Sequence, residues 1–148
     1  MAPTIDELQI LLPTSSIVLN AKVAGRDDAI RQAGALLAQA GAVDPGYIDQ
    51  MLERELVVST YVGDGIAIPH GTLTAKVDVK SEGLSLLRLA EPVDWAGQPV
   101  TLVIAIAAHG RRYITLLSQL AIALLDNGRA TSLREATTAD EARLLLAT

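Results

Sequence analysis

Cysteine is absent from this chain. That excludes disulfides, thiolate metal sites and cysteine nucleophiles together, and it fits a reducing compartment. Phenylalanine is absent as well, and there are only one tryptophan and two methionines. With half of its 148 residues hydrophobic, the chain must build its core from Leu, Ile, Val and Ala. A single domain of this length buries roughly two thirds of its unfolded surface. Long apolar runs are missing too. The longest, Leu102 to Ala108, is far short of the roughly 18 residues a membrane-spanning helix needs. Met1 to Glu7 hold no basic stretch followed by an apolar one, so no signal peptide is expected. Positive charge is in deficit: a formal net charge of −5 argues against nucleic acid as the main ligand. What remains is an acidic, soluble domain, expected in the cytoplasm.

Histidine is scarce, with His70 and His109 the only two. The first stands in the most informative stretch of the chain, Gly63-Asp64-Gly65-Ile66-Ala67-Ile68-Pro69-His70-Gly71-Thr72. Ile66 to Ile68 read as a short buried strand. Pro69 then fixes φ and removes a ladder donor, and Gly71 permits backbone angles closed to other residues. The ring of His70 is thus placed at a strand end, flanked by backbone that an anion can approach. With an ordinary pKa of about 6.5, much of its imidazole is neutral, and so nucleophilic, near neutral pH. The residues alone leave two readings open, a nucleophile or a ring that caps a buried loop by hydrogen bonding. Asp64 likewise is either a partner that orients the ring or a turn residue between two glycines.

Elsewhere strands and helices alternate. Ser16 to Val23 is strand-like. Arg26 to Ala40 carries Ile30, Ala33, Leu36, Leu37 and Ala40 at helical spacing, with Asp27 or Asp28 as cap and Gly41 closing it. Asp44-Pro45 signals a second helix, with Tyr47, Ile48, Met51 and Leu52 on one face through about Leu56. Gly83 to Leu89 and Val100 to Ala108 are two further strands, the second apolar except for Thr101 and expected to be central. Glu91-Pro92 and Ala96-Gly97-Gln98-Pro99 between them read as turns. Arg112 to Leu125 is an apolar helix closed by Asp126-Asn127-Gly128. Ser132 to Leu146 suggests a short helix and a last one, opened by Thr138 or Asp140 and anchored by Leu144 to Leu146. The segment before Ser16 is too short to form a second unit, and no repeat or linker interrupts the chain. The expected architecture is a single α/β domain over residues 1–148, a mixed β-sheet flanked by helices on both faces.

Met51-Leu52-Glu53-Arg54-Glu55, Thr60-Tyr61-Val62-Gly63 and Ile66-Ala67-Ile68-Pro69-His70-Gly71-Thr72 together resemble the enzyme IIA component of the mannitol/fructose class. This class belongs to the bacterial phosphoenolpyruvate-dependent sugar phosphotransferase system. The likeness runs over nearly the whole chain, including a strand ending in Ala107-Ala108 before a long helix. It implies the mannitol-type IIA fold and a phosphoryl relay. A histidine at the position of His70 accepts a phosphoryl group on Nε2 from the small carrier HPr. It passes the group to a IIB domain, which phosphorylates sugar entering through a membrane IIC permease. No metal or organic cofactor is implied in this domain.

The chemistry of the residues is compatible. A neutral imidazole forms a transferable phosphoryl adduct, and the transfer itself is mainly positioning plus stabilisation of charge on the equatorial oxygens. Backbone N–H groups at Gly71 and Thr72, the Thr72 hydroxyl and Asp64 are the candidate phosphate-side groups. Read from spacing alone, Arg54 is a solvated helix residue; the resemblance implies that it is the cation of the site. Mannitol-type members often carry a second active-site histidine a few residues past the Ala-Ala strand end, where this chain has Tyr113. A phenol donates a hydrogen bond to phosphate but carries no positive charge. His109, Arg111 and Arg112 are the nearby candidates for supplying it, His109 being equally readable as an exposed loop residue. For the two arginines, a solvated loop or a contact with an acidic partner is the readier reading.

Other constellations fail. Two histidines without cysteine do not make a structural zinc site. Ser15, Ser16, Ser59 and Ser118 stand in no nucleophile elbow, and no phosphate-binding loop of the G-x-x-x-x-G-K-[ST] form is present. The alternative from another class is a regulatory nitrogen-type IIA phosphoprotein, which would act through partner binding. A degenerate, unphosphorylated interaction domain stands behind both.

Overall fold

A computed structural model describes residues 5–72, 78–125 and 128–147. Five strands form one mixed sheet: β1 (Ile17–Ala21), β2 (Tyr61–Gly63), β3 (Ile66–Ala67), β4 (Gly83–Trp95) and β5 (Gln98–Ala107), in the spatial order β1-β4-β5-β3-β2. β1 runs parallel to β4, and β5 parallel to β3; β4 with β5 and β2 with β3 are antiparallel. The helices are α1 (Ile5–Leu11), α2 (Arg26–Gln39), α3 (Tyr47–Val57), α4 (Gly110–Leu124), α5 (Arg129–Glu135) and α6 (Ala139–Leu145).

Period-two alternation along the central strand explains the layering. On β5, Leu102, Ile104 and Ile106 face one way, into a cluster with Leu8 of α1, Leu116, Leu120 and Leu124 of α4, and Leu133 of α5. Val103, Ala105 and Ala107 face the other way, toward Ile30, Ala33 and Leu37 of α2 and Tyr47 and Met51 of α3. Both faces of β5 are therefore dry, which is why its sequence is a nearly unbroken apolar run. The expectation of a mixed sheet between helical layers holds. α2 and α3 approach closely at Gly34, where a Cβ would stand 2.8 Å from Ile48 Cγ1; a mid-helix glycine, ordinarily destabilising by roughly 1 kcal/mol, is explained by that approach.

Several boundaries differ from the sequence reading. β4 does not stop at Leu89 but continues through Glu91-Pro92 to Trp95, pairing with β5 as far as Trp95 opposite Gln98. Pro92 is tolerated because β1 ends its pairing at Ala21 opposite Leu89, so the outer edge of β4 beyond that point has no ladder to lose. The turn is Ala96-Gly97 alone, with φ of 53° and 89°, the pair of left-handed residues that a tight two-residue hairpin requires. α3 starts at Tyr47 instead of after Asp44; the Asp44 carbonyl accepts the Tyr47 N–H, and its carboxylate pairs with Lys80 at 2.9 Å. At α2 the cap residue is Gly25, while Asp28 Oδ2 accepts the Ala24 N–H at 2.8 Å. The segment before Ser16 contributes α1, whose Leu8 is fully buried. Thr138 caps α6, its side chain accepting from Glu141 N–H. Of the expected anchors Leu144 to Leu146, Leu146 is buried but Leu144 is exposed. Asp126 and Asn127, expected to close α4, lie outside the described residues.

Candidate functional site

The site sits where β3 ends beside the end of β5. Past β3 the chain still runs parallel to β5: Ile106 N–H donates to the Pro69 carbonyl at 3.0 Å, and His70 forms a bridge with Ile106. This fixes the backbone on both sides of the histidine, whose side chain is only 4% exposed.

Ring orientation comes from the main chain. His70 Nδ1 lies 3.0 Å from the Ile68 carbonyl oxygen. A carbonyl only accepts, so Nδ1 carries the proton and Nε2 holds the free electron pair. Burial pushes the imidazole down to about 4; the Ile68 hydrogen bond and Glu55 oppose this, while the Arg54 charge adds to it. At neutral pH the ring is therefore a neutral nucleophile with one defined tautomer. Tyr113, in the first turn of α4, places its hydroxyl in hydrogen-bond contact with Nε2, and the two rings are tilted by 46° with centroids 4.4 Å apart. Burial raises the phenol's pKa and the charge and hydrogen bond of Arg54 lower it. Arg54, from the last turn of α3, also donates to the Val58 carbonyl at 2.6 Å.

Two sequence-expected roles meet a different geometry. Gly71 lies outside the left-handed region; what it provides is space, because a Cβ there would stand 2.5 Å from Tyr47 Cε1. Its N–H is also engaged, donating to the Tyr47 hydroxyl at 2.8 Å, while that hydroxyl donates to the Ile106 carbonyl at 2.7 Å. Asp64 is turned to Arg134 of α5, which donates to its carbonyl and stands 3.8 Å from its carboxylate. It adopts a positive φ of 49° at the β2–β3 turn, and the Ile68 carbonyl orients the ring instead. Thr72 is half-buried, its hydroxyl donating to Gln50 Oε1 at 2.9 Å. His109 is the exposed residue preceding α4 and makes no side-chain cap bond. Arg111 is exposed, and Arg112 is held by Glu82 at 3.0 Å and Glu7 at 3.7 Å.

Tyr47, Gln50 and Glu55 are not among the site residues expected from the sequence. Tyr47, Met51 and Glu55 are spaced four apart and all buried on one face of α3. A carboxylate on an apolar helical stripe is a signal in itself, because a buried charge requires partners. Glu55 has them: it accepts from Thr60 N–H at 2.7 Å, from the Thr60 hydroxyl, and from Trp95 Nε1–H at 2.8 Å. This knot ties the end of α3, which carries Arg54, to the sheet.

Residues 10–148 match the family model described as phosphoenolpyruvate-dependent sugar phosphotransferase system, EIIA 2. A mannitol-specific phosphotransferase enzyme IIA component from Halalkalibacterium halodurans is 46% identical over 114 residues, 77% of this chain and 79% of that one. The crystal structure of IIA mannitol from Escherichia coli superposes with a TM-score of 0.85 at 38% identity, covering 92% of this chain and 99% of that one. A complex of Escherichia coli enzyme IIA mannitol with phosphorylated enzyme IIB mannitol matches with a TM-score of 0.84 at 37% identity, over 91% and 96% of the two chains. A buried neutral histidine at the end of β3, in a fold shared at this level of identity, makes this chain a member of the EIIA 2 family of the sugar phosphotransferase system, a phosphotransferase component.

Proposed function

We propose that His70 Nε2 is the phosphoacceptor of a relay that runs from HPr to a IIB domain of the mannitol class. The observation that carries this reading is the tautomer: Nδ1–H is held by the Ile68 carbonyl, which leaves the Nε2 electron pair facing outward toward Tyr113. That pair attacks the phosphorus of the incoming donor, a P–Nε2 bond forms, and the bond to the donor breaks with its electrons leaving on the donor. The proton stays on Nδ1, where the Ile68 carbonyl stabilises the positive charge the ring acquires. Arg54, whose charge acts on both His70 and Tyr113, meets the phosphoryl oxygens. The Tyr113 phenol, at the helix start, is a neutral donor available to the group once it is loaded. The Gly71 N–H, bound to Tyr47, is not among these donors. Transfer to the IIB domain is the reverse displacement.

The surroundings suit transient protein docking. Leu56, Val57 and Val58, which follow Arg54, are 77%, 77% and 60% exposed, and Ile114, next to Tyr113, is 55% exposed. Apolar side chains left in water beside a buried nucleophile fit an interface made and released at each turnover. On this reading the sugar is mannitol, the one named for relatives at this identity, and association with the membrane would be indirect, through IIC. Among the described residues no helix is long and apolar enough to cross a membrane, and we place the relay in the cytoplasm.

The test is reconstitution with phosphoenolpyruvate, enzyme I and HPr, followed by intact mass. The expected result is one acid-labile phosphoryl group, absent from His70→Ala, that moves on to a purified mannitol IIB domain. Loading without onward transfer to any IIB would favour the regulatory nitrogen-type output. No adduct with competent HPr would overturn the relay.

A further inference from the structure

We propose that Tyr113 is a removable cap on the phosphoacceptor nitrogen, its hydroxyl alternating between His70 Nε2 in the unloaded protein and a phosphoryl oxygen in the loaded one. The proposal rests on the reading that Nε2 is where His70 is loaded. Nδ1 is taken by the Ile68 carbonyl, so the phenol's contact with the ring falls on the one nitrogen that has a free electron pair. A hydroxyl facing a bare ring nitrogen donates its proton to it. The electron pair needed for attack on phosphorus is therefore already engaged. A phosphorus atom bonded to Nε2 would also fill the space now occupied by the phenol oxygen. One of the two rings must move before a P–N bond can form.

The histidine is the fixed partner. It is buried, its backbone is bonded to β5 through Pro69, and the next N–H is held by Tyr47. Tyr113 is only partly buried. It stands in the first turn of α4, a helix whose start has no side-chain cap bond and opens on Gly110 at a φ of 48°. Rotation of one side chain clears the nitrogen without moving the sheet. The positive charge of Arg54 acts on both His70 and Tyr113. Once the phosphoryl group is in place, its equatorial oxygens bear the charge, and the one proton the phenol can donate has a stronger acceptor there than it had on the imidazole. No proton leaves the tyrosine in either position. The hydroxyl thus opposes loading slightly and protects the loaded state, which makes Tyr113 a positioning residue of the transfer.

The experiment compares wild type with Tyr113→Phe, which keeps the ring and removes the hydroxyl. Loading from phospho-HPr should become about 2- to 10-fold faster, the factor expected for one neutral hydrogen bond that no longer has to be broken. Loss of phosphate from the isolated loaded protein should accelerate by a similar factor. Independently, wild type labelled with 3-fluorotyrosine gives resonances for the three tyrosines, assigned through single Tyr→Phe variants. Loading should shift the Tyr113 resonance and leave that of Tyr61 in place. Slower loading in Tyr113→Phe, or an unmoved Tyr113 resonance in a protein shown by mass to be loaded, overturns the cap while leaving the relay standing. A wild type that never gains a phosphoryl group, or a His70→Ala variant that still gains one, instead overturns the reading on which the cap depends.

Discussion

Lowering the pH from about 8 to about 5 weakens this fold through one buried ring, and the size of the effect follows from where that ring sits. In the unfolded chain a histidine titrates near 6.5; folded, His70 is pushed down to about 4, chiefly by burial. Between those values the unfolded chain binds a proton that the folded one refuses. Stability from this group is therefore complete above about pH 6.5, falls as the pH drops below it, and stops falling below about 4. The whole gap is worth on the order of 3 kcal/mol, and about 2 kcal/mol of it is lost by pH 5. With the side chain only 4% exposed, little solvent screening reduces that figure. The assay is urea unfolding of wild type and His70→Gln at both pH values, followed by Trp95 fluorescence. Wild type should lose about 2 kcal/mol more than the variant at unchanged slope; His109 is common to both and cancels. Equal losses would refute the reasoning, because they would mean that His70 is not held neutral by burial. The neutral nucleophile would then need another explanation.

Gly71→Ala should cost about 1–3 kcal/mol in a thermal or urea melt, since the new methyl group would collide with the buried Tyr47 ring at 2.5 Å. Glu55→Gln should destabilise by about 2 kcal/mol, because an amide group cannot accept from every donor that Glu55 now accepts from; a shift in Trp95 emission would report the broken knot. Arg54→Gln should slow loading from phospho-HPr by about 10²-fold with an unchanged melt, as expected for loss of one preorganised charge, and Arg54→Lys should recover part of the rate. Ala96→Gly should raise stability by roughly 1 kcal/mol, because alanine at a φ of 53° carries strain that glycine does not.

The layers of the fold were readable because helical and strand periods are written plainly into α2, α4 and β5, each with aliphatic residues at the right spacing. What was misread depends on pairing that no local pattern shows. Glu91-Pro92 looks like a turn until β1 is known to end at Ala21 and leave that edge of β4 without a ladder. Gly71 looks like a conformational glycine until the Tyr47 ring, 24 residues earlier, is found against it. At the site, the histidine frame was legible from Pro69-His70-Gly71, and Arg54 and Tyr113 were legible only through a family likeness. Asp64 drew attention by standing next to the frame in sequence, yet its partner is Arg134, 70 positions away. Glu55 carried a signal that was available, a carboxylate in step with Tyr47 and Met51, and that signal marks the support of the site more than its chemistry.

The bond from Gly71 N–H to Tyr47 has a consequence for what the site retains. Proteins that capture free phosphate commonly offer it several unoccupied main-chain N–H groups. Here the glycine beside His70 has its N–H turned inward, so that group is not offered to an unattached anion. On the proposed relay, phosphate set free by stray hydrolysis would find one main-chain donor fewer to detain it. A pocket proposed to carry a group by a covalent bond is thus a weaker trap for its waste product, and accumulated inorganic phosphate should leave loading uninhibited.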